Sequence, residues 1–198
     1  MSKTIPTPVG SAYYPRIDTP DTKFNPDGVY SCKLHVSEAD FNAFELTIKE
    51  IVNRAYKEEC SKRGVEKLTL APTQPLRQTA EGDFEIYAKQ VAKKDTRKGL
   101  LEFRVAVFDA KGNKIEDVPA IGSGSKLKMG VEVFPYYTDL NGFGYSLRLK
   151  AVQVLELVEY NNGSAASFGF SEETGFSGGE SLTEAFETDD ATTTSAPF

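Results

Sequence analysis

The chain has 198 residues, 39% of them hydrophobic and 26% charged, proportions of a soluble globular protein with room for one full domain and something more. No apolar run is long enough to span a bilayer, and the opening MSKTIPTPVG lacks the apolar core of a secretory signal, so a cytoplasmic protein without membrane attachment is expected. The net charge of −6 hides a division: up to Lys150 there are 23 bases against 20 acids, a net +3, whereas residues 151–198 carry nine acids and no base. That division suggests a mildly basic binding body followed by an acidic tail.

Residues 1–28 are punctuated by Pro6, Pro8, Gly10, Pro15, Pro20, Pro26 and Gly28 and read as turn-rich. Within them Ala12 to Ile17 form a short extended piece that Pro15 demotes to an edge or bulge. Its adjacent Tyr13 and Tyr14, beside Arg16, suit base stacking and core capping equally. Val29–Val36 is a strand, with Tyr30, Cys32, Leu34 and Val36 on the apolar parity and Ser31, Lys33 and His35 on the polar one. Ser37 then opens a helix, with Asp40 three residues on in a capping-box-like arrangement. Phe41, Phe44, Ile48, Ile51, Val52, Ala55 and Tyr56 recur at three and four residues, one buried stripe ending near Arg63 with Gly64 as the stop.

Residues 66–83, with Pro72 and Pro75, read as a loop, Arg77 being its last base. Phe84–Val91 is a strand with Phe84, Ile86 and Ala88 on one face and Tyr87 and Lys89 on the other. The turn after it carries Lys93, Lys94, Arg97 and Lys98, extending the Tyr87 and Lys89 face. Residues 100–109 return as a strand with Leu101, Phe103, Val105 and Val107 inward. A Pro and Gly-rich turn then leads into the most regular alternation of the chain. Leu127, Met129, Val131 and Val133 share one parity there, and Lys126, Lys128, Phe134 and Tyr136 the other. Lysines and rings on one face of a half-buried strand suit a nucleic-acid strand, the cations meeting phosphates and the rings bases. A solvated outer face is the alternative. Residues 145–157 form the last strand, with Arg148 and Lys150 on its polar parity. Its nearly continuous apolar run from Val152 implies burial on both sides or a parity shift at a bulge.

Chemistry has little to rest on. Two cysteines, Cys32 and Cys60, and one histidine, His35, cannot supply a clustered zinc set, and the cysteines read as buried hydrophobes. The run from Gly122 to Lys126 is too short for a phosphate-binding loop and precedes a strand; there is no GxSxG. A non-enzymatic protein without metal or other cofactor is expected.

About five substantial strands and one long amphipathic helix joined by short hairpins fit a mainly β protein with an OB-fold-like five-stranded barrel, a β-sandwich being the rival. This domain is expected over 1–160. Residues 161–198 are rich in Gly, Ser and Thr, and their seven acids are interleaved with phenylalanines, which predicts a disordered acidic interaction tail. Its partner-binding residues would include Phe186, Asp189, Asp190 and Phe198.

The runs Gly28-Val29-Tyr30, Phe108 to Gly112, Glu116 to Pro119, Ile121 to Lys128 and Phe134-Pro135-Tyr136 resemble the single-stranded DNA-binding proteins of tailed phages that carry their own replication machinery. The resemblance covers roughly Ser11 to Tyr160, and the tail in kind. It implies an OB-fold that coats single-stranded DNA without sequence specificity in viral DNA replication, recombination and repair. It also implies a tail that binds the phage DNA polymerase and helicase-primase and competes with DNA for the basic groove. The family's stacking tyrosine falls on Tyr136 and its groove lysines on Lys126 and Lys128. Two features depart from the pattern: the last acids are followed by seven uncharged residues before Phe198, and the chain has no tryptophan.

Residue pattern and resemblance converge on a single-stranded DNA-binding protein. Lys89, Lys93, Lys94, Arg97, Lys126, Lys128, Arg148 and Lys150 would follow the phosphates, and Tyr87, Tyr136 and Tyr137 would stack on bases. The alternative is an assembly module that works through the acidic tail without binding DNA. A homodimer is compatible with the sequence.

Overall fold

The computed structural model describes residues 3–97, 99–159 and the isolated Ser171. The expected tail, with Phe186, Asp189, Asp190 and Phe198, lies outside the described residues. In chain order the elements are β1 (Ile5–Pro6), β2 (Gly10–Asp21), β3 (Val29–Val36), α1 (Glu38–Arg63), β4 (Leu76–Gln78), β5 (Phe84–Val91), β6 (Lys93–Thr96), β7 (Gly99–Glu102), β8 (Ala106–Phe108), β9 (Lys114–Ile115), β10 (Lys126–Thr138) and β11 (Gly142–Glu156). No helix among the described residues is long and apolar enough to cross a membrane.

Five strands close on themselves: β2 pairs β3, β3 pairs β5, β5 pairs β11, β11 pairs β10 and β10 returns to β2. The mainly β protein with one helix expected from the sequence is therefore present, as a ring of five strands. Alternation fills it. Leu127, Met129 and Val131 of β10, Cys32 and Leu34 of β3, and Ile86 and Ala88 of β5 are all at 0% exposure inside. In β11 the inward set moves from Leu147 and Leu149 to Val152 and Val154. The cause is a bulge: Gly130 and Val131 face Ala151 and Leu149, leaving Lys150 as the extra residue. Of the two readings the apolar run allowed, the parity shift is correct.

Helix α1 starts and stops where its caps require. Ser37 adopts extended backbone and its side chain accepts the amide of Asp40, while Gly64 takes the left-handed conformation at φ 66°. The helix packs where β3 ends and β5 and β11 begin, with Phe41 5.2 Å from Phe84 and Tyr56 5.2 Å from Phe143, centroid to centroid.

Three expectations need correction, the first being the short extended piece from Ala12 to Ile17, which belongs to the twelve-residue strand β2. The long loop contains a strand, β4, which adds to β5. Residues 100–109 are not one inward-facing strand: β6 and β7 form a separate two-stranded hairpin on which Leu100 and Leu101 are exposed, and only β8 rejoins the ring, parallel to β11. Leu101 alternates with Phe103 and Val105 in sequence, but its strand has no third partner to make an inside.

Candidate nucleic-acid interface

Outward side chains of β2, β3 and β5 fall into three lateral rows, because antiparallel register places partners directly across from one another. In the first, Lys126 of β10 is followed by Ser11, His35, Glu85 and Arg77. The second is Tyr13, Lys33 and Tyr87. The third is Arg16, Ser31, Lys89, Arg148 and Glu132. Rings occupy the middle row, with cations within it and on both sides.

Tyr13 and Tyr14 are exposed, so the stacking and core-capping alternatives resolve towards solvent. The Lys33 ammonium lies 5.9 Å from the Tyr13 ring centroid, and the His35 ring is stacked on Tyr13 at 4.8 Å. The Tyr13 phenol is held above its ordinary value, chiefly by its hydrogen bond with the Tyr14 hydroxyl; burial does the same to Tyr87. Both are neutral rings at physiological pH, as an ordinary phenol is. Beside Tyr87 is a groove of about 410 Å³ walled by Tyr14, Arg16, Asp21, Lys33, Arg77 and Tyr87.

One carboxylate of the first row is buried. The Glu85 side chain is 2% exposed, and its Oε1 accepts from Arg77 Nε at 2.8 Å and Nη2 at 2.6 Å. Its Oε2 faces Lys33 Nζ at 3.5 Å and His35 Nε2 at 3.7 Å. A buried anion held this way fixes the cations around it.

The residues predicted for the site are distributed unevenly. Tyr87, Lys89 and Arg148 sit centrally, and Lys126 flanks them with its Nζ donating to Ser11 Oγ at 2.6 Å. Arg148 also places its guanidinium 3.4 Å over the Phe134 ring, and Lys150 pairs with Glu132 at 3.1 Å. Lys128 lies two residues further along β10, opposite Gln153. Tyr136 packs against Gly144, where an added Cβ would come within 2.8 Å of its hydroxyl oxygen. Lys93, Lys94 and Arg97 are exposed on the separate hairpin, Lys93 within 3.6 Å of Glu102.

Tyr137 stands apart from the rest. It has the opposite parity to Tyr136, and the Arg63 guanidinium covers its ring at 3.5 Å, so it braces the end of α1. Sequence reasoning missed Lys33, Arg77 and Glu85 as site residues. Lys33 was visible on the polar parity of β3; Arg77 and Glu85 acquire their roles only through cross-strand partners.

Rows of rings and cations on a strand face are the arrangement that a nucleic-acid strand requires. The family model for the single-stranded DNA-binding protein of bacteriophage T7 matches residues 9–157, and the chain belongs to that family, whose function is binding and not catalysis. The single-stranded DNA-binding protein of Enterobacteria phage T3 is 32% identical over 159 residues, covering 70% of this chain. The chain spans 66% of that relative's length. The crystal structure of gp2.5, a single-stranded DNA-binding protein encoded by bacteriophage T7, superposes with a TM-score of 0.70 at 26% identity, covering 89% of this chain and 99% of that one. The single-stranded DNA-binding protein of bacteriophage Enc34, solved in complex with single-stranded DNA, shares the fold with a TM-score of 0.58 at 16% identity, over 80% and 89% of the two chains.

Proposed function

We propose that this chain binds single-stranded DNA without regard to sequence, coating it during phage replication and recombination. The observation that carries the reading is the lateral register that sets Tyr13, Lys33 and Tyr87 side by side between two rows bearing Lys126, Arg77, Arg16, Lys89 and Arg148. Phosphates follow the cations. Bases lie on the rings, which accept any base because every base has a π-face. Lys93, Lys94 and Arg97 on the hairpin, with Lys128, Tyr136 and Lys150 on β10 and β11, extend the path at its margins.

Residues 161–198 carry acids without bases and hold Phe186, Asp189, Asp190 and Phe198. In this reading they recruit the phage DNA polymerase and helicase-primase and compete with DNA for the cationic face.

The test is a fluorescence titration with oligo-dT at low and moderate salt, on the full chain and on one lacking Gly163–Phe198. Affinity should fall with salt with a slope near 0.7 per phosphate neutralised, and the shortened chain should bind more tightly. No binding by the full or shortened chain at low salt would end the reading. Equal affinity of the two would remove the competing tail.

A further inference from the structure

Tyr14 is the one described non-glycine residue with positive φ, at 45°. Bulky side chains rarely adopt that conformation, and where they do the surroundings must enforce it. Here the enforcement is visible. Between Tyr13 and Arg16 strand β2 advances three residues while β3 advances two, from Lys33 to Ser31, so β2 bulges at Tyr14. The bulge is clamped by the loop before β10: the Tyr14 amide donates to Ser123 Oγ at 3.0 Å, and Gly124 donates to the Ala12 carbonyl at 2.9 Å.

The ring gives the fold little in return. It is 67% exposed, and its aromatic neighbour is Tyr13, edge-on at 4.5 Å and joined to it by an exposed side-chain hydrogen bond. Glycine would satisfy this backbone with less strain. What the bulge does achieve is direction. It turns the Tyr14 ring out of the alternation of β2, so that with Arg16 it lines both the groove shared with Tyr87 and a second one, of about 510 Å³, lined as well by Ile121, Gly122, Asp18 and Glu159.

We propose that Tyr14 is a stacking post for a nucleobase, a ring placed by backbone strain on the ridge between two grooves, with Arg16 beside it for the adjoining phosphate. This rests on the single-stranded DNA reading and adds a contact that none of the regular strand positions provides. The strained position then reflects binding, because relieving it would favour the fold and remove the ring.

That opposition of signs is the test. Tyr14→Gly should melt at the same temperature as wild type or about 2–4 °C higher, while its affinity for oligo-dT falls between about fivefold and a hundredfold. Tyr14→Phe should retain affinity. Tyr14→Trp introduces a single tryptophan into a chain that has none, and its fluorescence should be quenched by oligo-dT. The proposal is overturned if wild type binds and Tyr14→Gly binds equally well, if Tyr14→Gly melts well below wild type, or if the tryptophan is not quenched. Failure of wild type to bind would instead defeat the DNA reading itself.

Discussion

Glu85→Gln separates charge from geometry at the centre of the cationic face. The carboxylate is 2% exposed and takes two Arg77 N–H bonds on one oxygen, at 2.8 and 2.6 Å, while the other faces Lys33 and His35. Glutamine fills the same volume. Its oxygen can keep an Arg77 bond, now without charge, but its NH2 group must then meet the Lys33 ammonium, donor against donor. Charge-assisted bonds to a buried group are worth about 1.5–3 kcal/mol. Arg77 and Lys33 are 45% and 33% exposed and recover some hydration, which favours the lower end, near ~1.5 kcal/mol or about 3–6 °C in melting temperature. For binding, net charge alone argues the opposite way: the substitution moves the chain from −6 to −5 and should attract DNA. The structure instead predicts weaker binding, because Arg77 and Lys33 lose the group that holds them in position. Thermal melting reads the stability and anisotropy of a labelled oligo-dT across a salt series reads the binding, where loss of one phosphate contact should lower the log–log slope by about 0.7. Tighter binding at every salt concentration, with an unchanged slope, would refute this argument.

Removing the Tyr137 ring as Tyr137→Ala should cost about 0.5–2 kcal/mol of stability through the Arg63 contact and leave DNA affinity unchanged; a loss of affinity at equal folding would return Tyr137 to the interface. Glu59 is held below the usual carboxylate range, first by the hydrogen bond from Arg63 at 2.8 Å. A depressed carboxylate stabilises above its unfolded value, and that contribution disappears as pH falls through the folded one. Glu59→Gln should therefore reduce the loss of melting temperature below about pH 4; an identical acid limb would contradict it. Burial pushes the Cys32 thiol up to about 12, so at pH 8 it should resist iodoacetamide in the native protein, with peptide mass spectrometry reporting whether it is modified.

What could be read from the sequence was whatever depends on neighbours close along the chain. The alternation of β3 and β10 is clean because each carries one greasy and one polar face, and α1 declared its ends through Ser37, Asp40 and Gly64. β2 was half hidden, since the Tyr14 bulge breaks its alternation at the point that matters for the site. β4 is three residues long among prolines and exists only as an addition to β5. Glu85 sits on the outward parity of β5, where a charged residue predicts solvent; its burial depends on Arg77, Lys33 and His35 arriving from two other strands. Leu100 and Leu101 mislead in the reverse sense, as apolar residues whose hairpin has no layer behind it.

The joint between β5 and β11 is one parallel residue pair, Lys89 opposite Arg148. Every other joint in the hoop is an antiparallel ladder. The joint with the fewest paired residues therefore also sets two cationic side chains in register, an arrangement that costs free energy where their charges meet. An anion lodged between them would act as a clasp, turning mutual repulsion into shared attraction.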